Sequence, residues 1–166
     1  MSPPDTAPTP ADRMIGGVDV RDIGACACLL ARRTARLSTQ LFDAHLQPAG
    51  LTIGQFGVMA RLFAGSLSGQ PMTMKDLSSA IGMDPTTLNR TLKPLEAQAL
   101  VRTEPDARDR RARVVSLTPP GRERLAQAAP LWQAADAAVR RTIGTETTVA
   151  LSGLLDLASE RLKAAA

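Results

Sequence analysis

A regularly spaced set of polar side chains between residues 86 and 93 is the first candidate for chemistry in this 166-residue chain. Hydroxyl, amide and cationic groups recur there at helical intervals, which places them on one face of a helix. The set, called here the polar stripe, comprises Thr86, Thr87, Asn89, Arg90 and Lys93. These groups can hydrogen-bond to base edges while the cations contact phosphates, so the stripe fits duplex DNA. An ordinary solvated helix face is the alternative.

A second charged cluster lies between two short alternating stretches that predict a β-hairpin. It contains Asp106, Arg108, Asp109, Arg110 and Arg111. Arginines at a hairpin tip can contact phosphates or enter a narrow minor groove, where the negative potential is strongest. We expect Asp106 and Asp109 to brace the arginines rather than to contact DNA. A solvated charged hairpin is the alternative, which the order of helices and hairpin disfavours.

Two short helices joined by a tight turn must position the polar stripe. Thr73 and Asp76 predict a capping box at the start of the first helix, and Gly82 predicts its end. Asp84 predicts the cap of the second helix, with Pro85 at the first helical position. The second helix also carries an apolar stripe for docking, formed by Leu88, Leu92, Leu95 and Ala99.

Longer helices are predicted on both sides of this region. One runs from Asp19 to about Gln47, and its apolar residues recur at spacings of three and four, typical of a helix that packs along another helix. These residues are Val20, Ile23, Ala27, Leu30, Thr34, Leu37 and Leu41. Two more helices are predicted after Leu117. Residues 1–17 are rich in proline, glycine and small residues, which predicts a disordered tail.

The segments 51–56, 74–101 and 106–121 resemble the MarR family of winged helix-turn-helix transcription regulators. The most specific part is Asp106-x-Arg108-Asp109-x-Arg111, followed by Val115-x-Leu117-Thr118-x-x-Gly121. The resemblance implies a mainly α fold with a small β-hairpin wing, and an obligate homodimer formed through the N- and C-terminal helices. It also implies that the second helix of the motif enters the major groove and that Arg111 enters the minor groove.

The domain organisation expected from this resemblance has four parts. They are a tail at 1–17, a dimerisation helix at 18–50, a winged helix-turn-helix region at 51–118 and dimerisation helices at 119–166. Pro94 departs from the pattern, because proline removes a hydrogen bond inside the second helix and should kink it.

The composition fits this interpretation without requiring it. Hydrophobic residues make up 44% of the chain, enough for one domain with a sizeable core, and the formal net charge of +4 suits a polyanion. No apolar run is long enough to span a bilayer, so no membrane partner is expected. Two cysteines without a secretory signal indicate a reducing cytoplasm. No catalytic triad, phosphate loop or zinc spacing appears, so we expect neither an enzyme nor a bound metal or cofactor.

Three smaller features leave open how the protein is controlled. Cys26 and Cys28, two residues apart on a helix, point roughly 200° apart and should share neither a metal nor an unstrained disulfide. Cys26 borders the apolar seam, so an inert buried thiol is the first interpretation and a redox switch the second. The resemblance implies release by a small aromatic or anionic effector, for which Arg36, His45 and Trp132 are the candidate contacts.

Three hypotheses of function follow. The first is a homodimeric, sequence-specific DNA-binding regulator, in the simplest case a repressor on a pseudo-palindromic operator released by a small molecule. The second is a repressor that senses oxidants through Cys26. The third is a helical protein-interaction module whose wing contacts an acidic protein.

Overall fold

This computed structural model describes residue 9 and residues 11–69, 72–106 and 109–165, and these ranges contain seven α-helices and five short strands. The helices are α1 Val20–Gly24, α2 Ala27–Leu46, α3 Ile53–Leu67, α4 Met74–Ile81, α5 Pro85–Ala97, α6 Pro119–Ile143 and α7 Thr145–Ala165. The strands are β1 Met14–Ile15, β2 Val18–Asp19, β3 Met72–Thr73, β4 Val101–Pro105 and β5 Arg113–Leu117. Contacts divide the chain into two units, Met1–Gln40 and Leu41–Ala166.

The first unit begins with a turn and a β-hairpin where a disordered tail was predicted. Ala11–Arg13 forms a 3₁₀ turn, and β1 pairs antiparallel with β2. Gly16 and Gly17 connect the strands at φ angles of 56° and 86°, the left-handed conformations that a two-residue hairpin turn requires. The tail prediction was wrong for residues 11–17 because it relied on composition and overlooked the Gly-Gly turn signal. Residues 1–8 and 10 lie outside the described residues.

The helix predicted over residues 19–47 is interrupted after Gly24. The N–H groups of Ala25 and Cys26 donate to carbonyls of α1 at 2.9 and 3.1 Å, which closes that helix, and α2 begins directly after Cys26. The prediction of one continuous helix was therefore wrong. Glycine weakens a helix interior, and the apolar spacing continues through the break, so spacing alone could not locate it.

The second unit has a hydrophobic core between α3, α4, α5 and a three-stranded antiparallel sheet. The sheet has the order β3-β5-β4, so the predicted two-stranded wing gains a third, short strand in front of α4. The fully buried core side chains include Leu46, Val58, Met59, Leu77, Leu88 and Leu95. This core holds α4, α5 and the wing together.

The outer helices present a different surface. Several large apolar side chains of α7 are 43–70% exposed in the single chain, namely Val149, Leu154, Leu155, Leu157 and Leu162. None of the helices in the described ranges is both long and apolar enough to cross a bilayer.

Candidate nucleic-acid interface

Helix α4 is capped at both of its ends. The Thr73 hydroxyl accepts from the Asp76 N–H at 3.1 Å, and Asp76 accepts from the Thr73 N–H, so the predicted capping box is confirmed. Gly82 ends α4 at a φ of 66°, as predicted. The turn that leads to α5 is tied to α4, because the Met83 N–H donates to the Ser78 carbonyl and the Ser78 hydroxyl donates to the Met83 carbonyl.

Asp84 caps α5 with three hydrogen bonds. Its carboxylate accepts from the N–H groups of Thr86 and Thr87 at 3.0 Å each, and from the Thr87 hydroxyl at 2.6 Å. These bonds, above all that from the Thr87 hydroxyl, lower the pKa of Asp84 from its usual value of 3.8. The Asp84 carboxylate is thus charged at neutral pH, and the Thr87 hydroxyl donates its hydrogen bond to this carboxylate.

The two faces of α5 differ completely in burial. Leu88, Leu92 and Leu95 are at most 2% exposed and pack into the core, as the apolar stripe predicted. All five residues of the polar stripe are exposed, and Arg90 and Lys93 form no ion pair with any described residue. The helix thereby offers hydroxyl, amide and cationic groups to a partner, while its other face is anchored in the core.

The C-terminal end of α5 corrects one residue of the predicted apolar stripe. α5 continues through Pro94 and ends at Ala97, so Ala99 lies outside the helix and is exposed. Ala99 adopts a φ of 54°, and the N–H of Leu100 donates to the Leu95 carbonyl at 2.9 Å, as in a Schellman cap. The spacing of four from Leu95 placed Ala99 in the stripe because the sequence contains no glycine that marks this end. The predicted kink at Pro94 stays a prediction.

The wing is the hairpin of β4 and β5. Val101 pairs with Leu117 at its base, and Pro105 pairs with Arg113 near its tip. At its tip, Asp109 accepts a hydrogen bond from the Arg111 N–H at 2.9 Å, and Asp106 accepts one from the Asp109 N–H at 3.4 Å. The aspartates thus brace the backbone that carries the arginines. Arg110 and Arg111 are exposed and form no ion pair with the described residues, whereas Arg108 lies outside them.

A side-chain contact between α5 and the wing was not anticipated from the sequence. The Thr103 hydroxyl of β4 donates to Glu96 of α5. Beside this contact lies a cleft of about 250 Å³ lined by Met74, Asn89, Leu92, Glu96, Thr103 and Arg113. Arg113 was not predicted as a site residue because it lies outside the dense arginine cluster. The alternation of Arg113 with buried Val115 and Leu117 was the available signal.

The residues proposed for control belong neither to α5 nor to the wing. Both cysteines are free and exposed, so the prediction that Cys26 is buried against the seam is wrong for the single chain. Cys26 precedes α2 instead of lying within a helix, so the angular argument against a bond to Cys28 no longer holds. The described residues contain no group of three or more His, Cys, Asp or Glu side chains that could hold a metal.

The three candidate effector contacts belong to different units of the chain. Nδ1 of His45 lies 2.9 Å from the Leu41 carbonyl on its own helix. Trp132 stacks on the ring of Phe56 with centroids 6.1 Å apart. Arg36 belongs to the first unit, and the other two belong to the second. Their common role therefore stays a prediction.

Comparisons with known proteins agree with this geometry. A profile described as MarR family matches residues 49–112. The transcriptional regulator MosR of M. tuberculosis, in a crystal structure with DNA, is 36% identical with a TM-score of 0.68. That match covers 81% of this chain and 97% of MosR. A comparison with curated protein sequences finds no significant match.

Two more distant structures share the fold. The transcriptional repressor CouR, bound to a 23-mer DNA duplex, is 22% identical with a TM-score of 0.71, over 86% of this chain and 98% of CouR. The PcaV regulator of Streptomyces coelicolor, in complex with its natural ligand, is 16% identical with a TM-score of 0.72, over 88% of this chain and 98% of PcaV. On the capped helix pair, the arginine-tipped wing and the match to MosR over nearly its whole length, the chain belongs to the MarR family of transcriptional regulators.

Proposed function

We propose that this protein is a sequence-specific DNA-binding regulator that acts as a homodimer, in the simplest case as a repressor. The observation that carries the proposal is the contrast between the two faces of α5. Its leucines are buried, while its polar stripe is exposed and forms no ion pair within the described ranges. Membership in a family of regulators supports a role other than catalysis. Since its partner is DNA, we place the protein in the cytoplasm.

The polar stripe and the wing have separate tasks in this proposal. Thr86, Asn89 and Arg90 read base edges in the major groove, and Thr87 contributes mainly through the capped start of the helix. Lys93 and the wing arginines supply affinity by neutralising phosphates and by entering the minor groove. The wing arginines concerned are Arg108, Arg110 and Arg111. Asp106 and Asp109 hold the wing backbone in the shape that presents them.

A second copy of the chain completes the DNA-binding unit. Exposed leucines on α2 and α7, including Leu37 at 59% and Leu154 at 65%, supply apolar surface for association. A two-fold dimer would place two copies of α5 in successive major grooves, about one helical turn apart, and would read a pseudo-palindrome. The MosR and CouR structures with DNA support a duplex as the partner.

Release from DNA by a small aromatic or anionic molecule is part of the proposal. PcaV is known in complex with a natural ligand, which supports an effector in this family. An effector can act only if its affinity differs between the DNA-bound and the released arrangement. Arg36, His45 and Trp132 are the contacts proposed for it.

A second candidate input is oxidation, which the exposure of both thiols favours. Peroxide would oxidise Cys26 and Cys28 to a disulfide while it is reduced to two molecules of water, and both thiol protons pass to the water. A Cys26→Ser variant should then keep its DNA affinity after peroxide treatment, whereas the wild type loses it. Loss of affinity in both proteins would show that Cys26 is not the thiol that senses peroxide.

Two substitutions measured across a salt series test the proposed function. Arg111→Ala should weaken binding to every duplex and flatten the dependence on salt, since one phosphate or minor-groove contact is lost. Asn89→Ala should mainly relax base preference, at a cost of about 1–3 kcal/mol for the preferred site. A wild-type protein that binds no duplex even at low salt would instead favour a helical module that contacts an acidic protein.

A further inference from the structure

The cleft between α5 and the wing contains an arginine that the DNA-binding roles above do not use. Asn89, Leu92 and Glu96 of α5 form one wall, and Thr103 and Arg113 of the wing form the other. The Glu96–Thr103 hydrogen bond fixes the two walls to each other. The cleft therefore lies between a helix and two strands that are bonded to each other, and not within a loop.

Strand alternation explains why Arg113 faces α5. Along β5 the side chains of Arg113, Val115 and Leu117 lie on one face, because successive side chains of a strand point to opposite sides. Val115 and Leu117 are 2% and 9% exposed, so this face is directed towards the core. Arg113 is the next residue of that face towards the wing tip, where the core ends and the cleft begins.

The guanidinium of Arg113 retains donors for a ligand. Its Nη2 donates to the Thr103 carbonyl at 3.3 Å, a bond that holds the group against β4. Arg113 is exposed and forms no ion pair with the described residues. The carboxylate of Glu96 accepts from the Thr103 hydroxyl, so it serves the contact between the walls.

The position of the cleft indicates what it binds. If α5 enters a major groove and the wing enters the adjacent minor groove, the sugar-phosphate strand that separates these grooves must cross the space between them. An arginine in that space can donate two parallel hydrogen bonds to phosphate oxygens. We propose that the cleft binds one backbone phosphate of the duplex, with Arg113 as its donor. This inference rests on the proposed DNA-binding function.

Arg113→Gln tests the proposal against a matched control on the opposite face of the same wing. Arg102 lies 3.2 Å from both Glu104 and Ser116 on that face and lines no part of this cleft. Fluorescence anisotropy across a salt series measures the slope of log affinity against log salt concentration. Arg113→Gln should reduce the magnitude of this slope by about 0.9. The loss of affinity should be similar for a selected site and for random duplex, whereas Arg102→Gln should leave the slope unchanged.

Arg113→Lys separates charge from structure. It should keep most of the wild-type slope, because the cation remains, while thermal melting checks that all three variants fold. An unchanged slope in Arg113→Gln, or an equal reduction in Arg102→Gln, would overturn the phosphate site while the wild type still binds DNA. Absence of any duplex binding by the wild type would instead contradict the proposed function itself.

Discussion

The two units of this protein differ in where their apolar side chains go. In the second unit, Leu77, Leu88 and Leu95 are completely buried, so the winged helix carries its own core. In the first unit, none of the residues described between 12 and 40 is buried, and Ile15 and Leu37 are 66% and 59% exposed. The DNA-reading part is thus a self-sufficient fold. The N-terminal part must obtain its burial from elsewhere, which in our proposal is a second copy.

Physical limits on small elements support this contrast. An isolated two-stranded hairpin is at best marginally stable in water, and an isolated helix gains most of its stability from packing of its apolar face. The first unit consists of such elements. We therefore expect it to depend on association, whereas α4, α5 and the wing do not.

The largest effect is expected inside the winged helix at Gly121, the last residue of the wing signature. A Cβ at this position would lie 2.0 Å from the Leu100 carbonyl oxygen, so backbone would have to move. Gly121→Ala should lower the free energy of unfolding by about 3 kcal/mol. The matched control is Gly57→Ala in α3, where nothing lies within 4 Å and the helix should gain about 0.5–1 kcal/mol. Urea unfolding of both variants checks the pair, and equal stabilities would refute the close approach.

An intermediate effect is expected in the first unit. Leu37→Glu places a charge on the exposed apolar seam of α2, and each dimer contains two such sites. Because Leu37 is already partly covered in the single chain, each site should lose about 1 kcal/mol, and the dimer dissociation constant should rise about 30-fold. Thr39→Glu, on the other side of the helix, should change it little. Sedimentation of diluted samples measures both, and an equal response of the two variants would show that the seam is not the interface.

The smallest effect is expected where α5 meets the wing. Ala99 is the non-glycine residue with positive φ in the described chain, a conformation that costs an alanine roughly 1 kcal/mol. Ala99→Gly should therefore stabilise the winged helix by about that amount. Ala97→Gly, at the last residue of α5, should instead destabilise it by up to about 1 kcal/mol. Thermal melting distinguishes the two, and destabilisation by Ala99→Gly would be inconsistent with the left-handed cap.

Local signals predicted the second unit well. Thr73, Asp76, Gly82 and Asp84 satisfy backbone groups within a few residues of themselves, so their roles can be inferred from neighbouring letters. The buried stripe of α5 followed from spacing in the same way. The wing signature likewise pointed to Gly121, although only the structure shows that the Leu100 carbonyl is the atom it avoids.

Non-local features could not be predicted in this way. The contact of Thr103 with Glu96, and the cleft in which Arg113 faces Asn89, depend on how a strand packs against a helix. In the first unit, the helix is interrupted after Gly24. No buried core among the residues described there favours a continuous helix over an interrupted one. The wrong predictions therefore lie mainly in the first unit, where the fewest side chains are buried.

Selection of duplexes from a random pool by the wild-type protein tests the central claim most directly. We expect an inverted repeat whose half-sites are centred about 10 base pairs apart, bound by two copies of the chain. Enrichment of no sequence, or of a single half-site bound by one copy, would contradict it.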